Sequence, residues 1–327
     1  EPGEISAIQH ALNIYIIEGE DVFDAECQNN PSRNDIAGYL QLSASVRDRK
    51  NGLARDVIPG NTQISVFGID VHDEILYWSK GAVLPDFSGS VINYGCFPPQ
   101  PTAYFSHSKI KRKLTDFFPG CTVDEAILQG LQQVLSQLST MPYACGLIDS
   151  GYKPEIVAEA IRLSALDHVY SSRGIGIGPA EKPMPEYDVS PKRARRAGPD
   201  PLRPRWYFPR EIRRRVHFDA NYWKDFGASR LTQADGPGCW YLFGGERVDH
   251  SLYADHLCAE QPVAMSAKGR TVNVWKVVSH RDNHYWDTYV LCQVAASIAG
   301  CQLPGLATRK RVGPNKPKRG GNVSYME

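Results

Sequence analysis

The sequence lacks the signatures of several large protein classes. It contains no apolar run near the roughly 18 residues that a membrane-spanning helix requires. It has no GxxxxGK[ST] motif of a P-loop ATPase and no GxSxG motif of a serine hydrolase. Its eight cysteines include no CxxC pair, which argues against a zinc ribbon. The residues therefore offer no membrane span, no P-loop and no nucleophile elbow.

The cysteines and the first residue indicate the cellular context. Cys145 and Cys292 lie in apolar segments, where a buried free thiol is the simplest interpretation. Free thiols are typical of a reducing compartment, so we expect a cytoplasmic protein. Because the chain starts at Glu1 rather than Met, we expect it to be part of a longer protein.

Charge is balanced overall but uneven along the chain. The net charge of +1 does not by itself indicate a polyanionic partner. The segment from Lys192 to Arg215, however, holds ten Lys and Arg against two acidic residues, and the segment from Arg309 to Arg319 holds six basic residues. Such stretches indicate either a local nucleic-acid contact or a solvated loop and tail.

The first half of the chain alternates between strand and helix patterns. Short apolar runs predict strands at Ile64–Asp70, Glu74–Val83, Ser88–Phe97, Tyr143–Asp149 and His168–Arg173. Helical spacing predicts a helix at Val123–Leu138, which Thr122 and Glu125 can begin as a capping box, and a second at Pro154–Leu166. This order predicts an α/β protein with an RNase H-like mixed sheet flanked by helices. A Rossmann fold would instead need helices between the first three strands.

The remaining residues divide around this core. We predict a polar helical connector at residues 1–60, with helices at Ile5–Glu18 and Ala37–Val46, and the RNase H-like domain at residues 61–300. Within it, residues 174–205 are rich in Gly, Pro and Arg, which indicates an exposed basic loop or hairpin insertion. The composition of residues 301–327 predicts a basic, disordered tail.

The second half also contains regular elements. We predict strands near Val216–Phe218, Trp240–Phe243, Pro262–Ala267 and Val272–Val278, and helices at Asn221–Leu231, Asp249–Ala259 and Asn283–Ala299. The last helix is apolar and rich in alanine, so we expect it to be buried.

Three aspartates occupy positions suited to a metal centre. Asp70 ends the first strand, and Asp149 ends a strand that should lie beside it. Asp287 lies near the start of the last helix, where the helix dipole favours a carboxylate. Carboxylates fixed at the ends of neighbouring strands can hold two Mg2+ or Mn2+ ions for phosphodiester hydrolysis. A single aspartate after a strand is usually a turn residue, so the prediction depends on the three together.

Histidines offer weaker candidates. His284 lies three residues before Asp287 on the same helix face, so it is either a further metal ligand or a capping or core residue. We expect His250, His256 and Glu260 to be surface residues, because the two histidines are six residues apart and lack the i, i+4 pairing of a helical zinc site.

Several segments resemble the large terminase subunits of tailed bacteriophages, with the lambda-like branch most similar. They are VFGIDVHDEILYWSKGAV, GLIDSGYKPEIVAEAIR, VHFDANYWKDFGASRL with the later HLCAEQPV, and DNHYWDTYVLCQVAAS. The resemblance covers about residues 55–300 and concerns the C-terminal nuclease domain of these proteins. Because the blocks occur in the family's order, the resemblance is specific.

The resemblance implies a two-metal endonuclease that cuts concatemeric double-stranded DNA into genome units. The family's acidic metal-binding positions match Asp70, Asp149 and Asp287, and His284 matches a position that is often polar or acidic in relatives. Full-length members carry an N-terminal ATPase motor in the same chain. The expected partners are DNA, the portal protein and the small terminase subunit, in the host cytoplasm and without a membrane.

The basic insertion is the predicted DNA contact. We expect phosphates to be bound by Lys192, Arg193, Arg195, Arg196, Arg213, Arg214 and Arg215. Two other functions remain open. One is an RNase H-like transposase, integrase or resolvase, and the other is a non-catalytic module that binds DNA or the portal.

Overall fold

The structure is a computed structural model. It describes residues 42–60, 64–187, 205–209, 214–233 and 235–301, together with Ser6, Ile8 and Thr62. In this part of the chain the strands are β1 (Ile64–Val71), β2 (Leu76–Val83), β3 (Gly89–Phe97), β4 (Cys145–Asp149), β5 (Val169–Ile175), β6 (Trp206–Tyr207), β7 (Arg215–Asp219), β8 (Trp240–Leu242), β9 (Glu260–Ala267) and β10 (Arg270–Val277). The helices are α1 (Leu114–Phe117), α2 (Val123–Leu138), α3 (Pro154–Ser164), α4 (Ala220–Thr232), α5 (Ser251–Leu257) and α6 (His284–Ile298), with an earlier helical segment at residues 42–48.

One mixed sheet organises the molecule. Its eight strands lie in the order β6-β7-β5-β4-β1-β2-β3-β8. Strands β1, β2 and β3 form an antiparallel meander, while β4 pairs parallel with β1 and β5 pairs parallel with β4. These five strands have the order and directions predicted for an RNase H-like domain, so that fold class is confirmed. Strands β9 and β10 form a separate antiparallel hairpin.

The capping box that the sequence predicts begins α2. The Thr122 side chain accepts a hydrogen bond from the backbone N–H of Glu125, and the Glu125 carboxylate accepts one from the backbone N–H of Thr122. Two otherwise unpaired backbone donors are thereby satisfied, which fixes where the helix starts. Its apolar stripe, including Ile127, Leu131 and Val134, is fully buried against the sheet.

Helices cover both faces of the sheet and create two separate cores. Helices α2 and α3 pack on one face, over Phe67, Ile69 and Ile148. Helices α4, α5 and α6 pack on the other face, over Val66 and Leu147. Because side chains alternate along a strand, Asp70 and Asp149 face the α6 side.

Helix α6 lies unusually close to β1. A Cβ atom added to Gly68 would lie 2.7 Å from the Cβ of Leu291 and would also overlap the backbone carbonyl of Thr288. Only glycine lets the helix backbone approach the strand this closely. Gly68 lies two residues before Asp70, so this approach determines how far the start of α6 lies from the end of β1.

The segment before β1 extends the sheet. The backbone N–H of Leu242 donates to the carbonyl of Arg49 at 2.8 Å, and the N–H of Asn51 donates to the carbonyl of Leu242 at 2.9 Å. The N–H of Gly52 then donates to the carbonyl of Gly244 at 3.1 Å. The outer edge of β8 is therefore paired by residues that precede the sheet in sequence.

Several predictions concern residues outside the described part of the chain. The predicted helix Ile5–Glu18 and the predicted tail at residues 301–327 lie almost entirely there, as do residues 188–204 of the insertion. The flanking residues of the insertion are not uniformly exposed, because Ile177 and Met184 are buried. Among the described helices, none has the length and apolarity needed to cross a lipid bilayer.

Candidate active site

Strands β1 and β4 place two aspartates side by side. Their parallel register pairs Ile69 with Ile148, the residues immediately before Asp70 and Asp149. Neighbouring strands lie about 4.8 Å apart, so the two carboxylates project from adjacent positions on the same face of the sheet. The predicted adjacency of Asp70 and Asp149 is therefore observed.

Helix α6 brings the third aspartate to the same place. Its first residue, His284, contacts Asp70, with 3.2 Å between the imidazole Nδ1 and the carboxylate Oδ2. Asp287 lies three residues further along, still in the first turn of the helix. The charge of Asp70 acts on Asp287, and the charges of both act on Asp149, so the three carboxylates form one electrostatic cluster.

Asp70 is the most enclosed of the three. It is only 5% exposed, and its Oδ2 accepts a hydrogen bond from His72 Nε2 at 2.7 Å as well as from His284. Burial alone would raise the pKa of Asp70, but the hydrogen bonds from His284 and His72 and their positive charges together hold it well below its usual range. Asp70 is therefore the carboxylate that stays ionised in this cluster.

A second polar network holds Asp287. Lys224 Nζ lies 3.2 Å from Asp287 Oδ1 and also donates to both oxygens of Glu260, at 2.5 and 2.7 Å. Asn283 Nδ2 donates to Asp287 Oδ2 at 3.1 Å and to Glu260 Oε1 at 2.6 Å. Helix α4, strand β9 and helix α6 thus jointly orient one carboxylate.

Burial, together with the neighbouring carboxylates, raises the pKa values of the other two aspartates. Burial, followed by the charges of Asp70 and Asp287, raises the pKa of Asp149 to about 7. Burial also raises the pKa of Asp287 to about 6, against the opposing charge of Lys224. The fold therefore holds like charges together at a cost in stability, an arrangement that a bound cation would relieve.

The raised pKa of Asp149 leads to a stability prediction. A carboxyl group whose pKa is higher in the folded state stabilises the fold below its unfolded pKa, near 4, and loses that contribution as the pH rises to about 7. With a chelator present to remove metal ions, we therefore expect the melting temperature of Asp149→Asn to be several degrees above that of the parent protein near pH 8. Near pH 4 the two melting temperatures should be equal. Thermal melts across this range measure the difference.

A surface carboxylate provides the control for this prediction. Asp167 is 89% exposed, so Asp167→Asn should melt in parallel with the parent at every pH. Identical pH dependence of the parent and Asp149→Asn would contradict the strain attributed to Asp149.

The prediction that His250, His256 and Glu260 are surface residues is wrong. All three are buried, with exposures of 0%, 3% and 5%. His250 contacts the Tyr94 hydroxyl and donates to a backbone carbonyl, while burial lowers the pKa of His256 to about 3. The spacing of these residues bears on whether they can form a zinc site, but it carries no information about burial.

The structure describes two of the predicted DNA-binding residues, Arg214 and Arg215. Lys192, Arg193, Arg195, Arg196 and Arg213 lie outside the described residues.

Arg215 begins strand β7, and Arg214 immediately precedes it. Arg214 is half-exposed and donates to the Leu166 carbonyl at 3.2 Å. Arg215 pairs in register with Ser171, two strands from β4, and alternation turns it to the sheet face opposite Asp149. Any DNA contact by Arg215 is thus made on the face of the sheet opposite Asp149.

Four contributors to the site were not predicted: His72, Lys224, Glu260 and Asn283. His72 could have been found, because it lies two residues after Asp70 and therefore shares its face if the strand continues. The pairing of Lys224 with Glu260 joins residues 36 positions apart, and no local pattern indicates it.

A family comparison covers the second half of this site. Residues 214–310 match the family model described as "Terminase large subunit gpA, endonuclease domain". This range runs from β7 through α6, so it includes Lys224, His284 and Asp287 but neither Asp70 nor Asp149. The resemblance to terminase large-subunit nucleases that the sequence motifs indicate is thereby confirmed.

Solved structures similar to the chain include nuclease domains of the large terminase subunit gp2 of bacterial virus Sf6. One has a TM-score of 0.41 at 10% identity and covers 77% of this chain and 95% of its own. A K428A mutant with manganese and beta-thujaplicinol has a TM-score of 0.39 at 10% identity, covering 71% and 88%. A K428A mutant with calcium has a TM-score of 0.36 at 10% identity, covering 78% and 95%. No curated protein matches the sequence.

Proposed function

We propose that the chain is the nuclease of a viral DNA-packaging terminase, a two-metal-dependent endonuclease that cuts concatemeric double-stranded DNA into genome units. The convergence of Asp70, Asp149 and Asp287 at one end of the sheet supports this proposal most strongly. The match of residues 214–310, which include Asp287, to a terminase endonuclease family also supports it.

The donor set fits hard divalent cations. Mg2+ and Mn2+ favour carboxylate oxygens, and three carboxylates from two strands and a helix interact electrostatically here. The raised pKa values of Asp149 and Asp287 come largely from burial and from charges that a cation would neutralise. Asp70, Asp149 and Asp287 would therefore hold the ions, with His284 as a further ligand. Bound ions would supply activation of water and stabilisation of the charge on the leaving oxygen.

The surrounding side chains fix the geometry that this chemistry needs. Lys224 and Asn283 hold Asp287 from two sides, so its carboxylate cannot rotate freely. Gly68 allows α6 to lie close enough for His284 to reach Asp70. Small displacements of such groups reduce rates strongly, because the reacting atoms must be aligned.

DNA binding is assigned to basic side chains outside the carboxylate cluster. Lysines and arginines of the insertion and of the start of β7 would bind backbone phosphates. Such contacts give affinity that falls with salt and depends little on sequence. The ATPase motor in the same full-length chain, the portal and the small terminase subunit complete the proposed context.

A cleavage assay tests the function directly. Supercoiled plasmid is incubated with the protein and Mn2+, Mg2+ or EDTA, and nicked and linear products are separated on a gel. We expect cleavage with a divalent ion, none with EDTA, and products that carry a 5′-phosphate and a 3′-hydroxyl.

The substrate separates this proposal from its alternatives. A terminase nuclease should cut linear duplex at least as well as branched DNA, whereas a resolvase should prefer the branched form. Metal-independent binding without cleavage under any condition would indicate a non-catalytic module and would overturn the proposal.

A further inference from the structure

Two imidazoles converge on a single carboxylate oxygen. Asp70 Oδ2 lies 2.7 Å from His72 Nε2 and 3.2 Å from His284 Nδ1. One donor atom from each of these residues lies within 4.8 Å of the other two. Among the described residues, they are the one group of His, Cys, Asp and Glu whose donor atoms come this close.

Independent elements hold the two rings in place. His72 follows the end of β1, and His284 begins α6, which Gly68 brings against that strand. Tyr77 stacks on His284 with ring centroids 4.6 Å apart and planes 14° apart. The His72 and His284 rings meet nearly edge to face, with centroids 4.2 Å apart. This packing restricts the rotation of both rings, so their nitrogens are already directed at Asp70.

Nearby histidines have other partners. His107 lies 4.9 Å from His72 by ring centroids, but its Nδ1 is 3.3 Å from the Tyr77 hydroxyl. His256 accepts a hydrogen bond from the backbone N–H of Tyr285 at 3.4 Å. The convergent donor set is therefore two nitrogens and one oxygen rather than a general histidine cluster.

This donor set selects a different ion from an all-carboxylate site. Mg2+ takes oxygen ligands and keeps several waters, whereas imidazole nitrogen favours first-row transition ions. Affinity at such a site should rise from Mn2+ to Co2+. The carboxylates of Asp149 and Asp287 offer only oxygen.

We propose that Asp70, His72 and His284 form a nitrogen-rich cation site that takes a first-row transition ion in preference to Mg2+. His72 is its newly assigned ligand. The inference rests on the proposed function, because Asp70 also belongs to the carboxylate site. The two metal positions are then chemically unequal, one selective for transition ions and the other open to Mg2+.

Pulsed electron paramagnetic resonance tests the site without any cleavage reaction. Mn2+ is added to the full chain, and coupling to imidazole 14N is recorded by electron spin-echo envelope modulation. We expect couplings from two imidazoles, a weaker signal in His72→Asn and in His284→Asn, and Mn2+ retained against an equal concentration of Mg2+. Outer ligands alone change metal affinity by about 10–100-fold, so losing His72 should weaken Mn2+ binding by at least about 100-fold.

A matched variant and a second substitution complete the design. His107→Asn removes a neighbouring imidazole outside the donor set and should leave the 14N coupling unchanged. His72→Gln is measured beside His72→Asn, with circular dichroism to confirm that both variants fold.

The outcomes separate the two proposals. Bound Mn2+ without 14N coupling, in a protein that still cleaves DNA with metal, overturns the histidine site and leaves the proposed function standing. Coupling that persists unchanged in folded His72→Asn and His72→Gln overturns the role of His72. Absence of both Mn2+ binding and metal-dependent cleavage overturns the proposed function together with the inference.

Discussion

Asp70→Asn is expected to reduce metal-dependent DNA cleavage by about 1,000-fold or more. Metal ions contribute several kcal/mol to charge stabilisation in the transition state, and each 1.36 kcal/mol corresponds to about tenfold in rate. Asp70 is the one side chain shared by the carboxylate cluster and the two imidazoles, so its loss weakens every proposed metal contact. Initial rates of plasmid nicking with Mn2+ measure the effect.

The substitution is conservative in shape and has a close control. Asparagine keeps an oxygen that can accept a hydrogen bond from His72 or His284, so the fold should survive, as a thermal melt would verify. Asp73→Asn neutralises an exposed aspartate three positions away and should cut at the parental rate. If folded Asp70→Asn cuts as fast as Asp73→Asn, the site assignment is wrong.

Gly68→Ala is expected to impair both stability and cleavage, although Gly68 carries no functional group. The new methyl group would overlap the Thr288 carbonyl and come 2.7 Å from the Leu291 Cβ, so α6 must shift away from β1. Overpacking of this kind costs about 1–3 kcal/mol. The same shift moves His284 and Asp287 relative to Asp70, so we expect cleavage to fall at least about tenfold. Chemical denaturation and the nicking assay report the two effects.

Gly176→Ala is the matched control. A Cβ at Gly176 has nothing within 4 Å, and its backbone is compatible with alanine, so both stability and cleavage should stay close to the parental values. A Gly68→Ala protein with parental stability and rate would show that α6 does not depend on this close contact.

Local patterns predicted the elements that carry the site. Asp70 and Asp149 end buried apolar runs, and the parallel pairing of those runs follows from the strand order around them. The Thr122 and Glu125 capping box marks the start of α2 to the residue. The start of the last helix is predicted within one residue, because the apolar and aromatic residues of the helix begin at Tyr285.

The contacts around Asp287 could not be predicted in the same way. Lys224 meets Glu260 and Asp287 only because α4, β9 and α6 pack together, and each residue alone looks like a solvent-facing charge. The burial of His256 and His250 could not be predicted for a related reason. A histidine is buried when the fold supplies hydrogen-bond partners for its ring. Two of those partners, Tyr285 and Tyr94, are 29 and 156 positions away in sequence, and the third, the backbone carbonyl of Phe243, is brought into place by the loop after β8.

The pairing of residues 49–52 with β8 also affects where an independent nuclease fragment can begin. An unpaired edge strand is a template for association with other chains. Removing these residues would leave the backbone groups of Leu242 and Gly244 without the partners they have in the sheet. Although the sequence pattern puts the start of the nuclease domain at residue 61, the shortest fragment that keeps this edge closed must begin before Arg49. The segment that leads into the sheet is thus also what keeps the edge of β8 from pairing with another molecule.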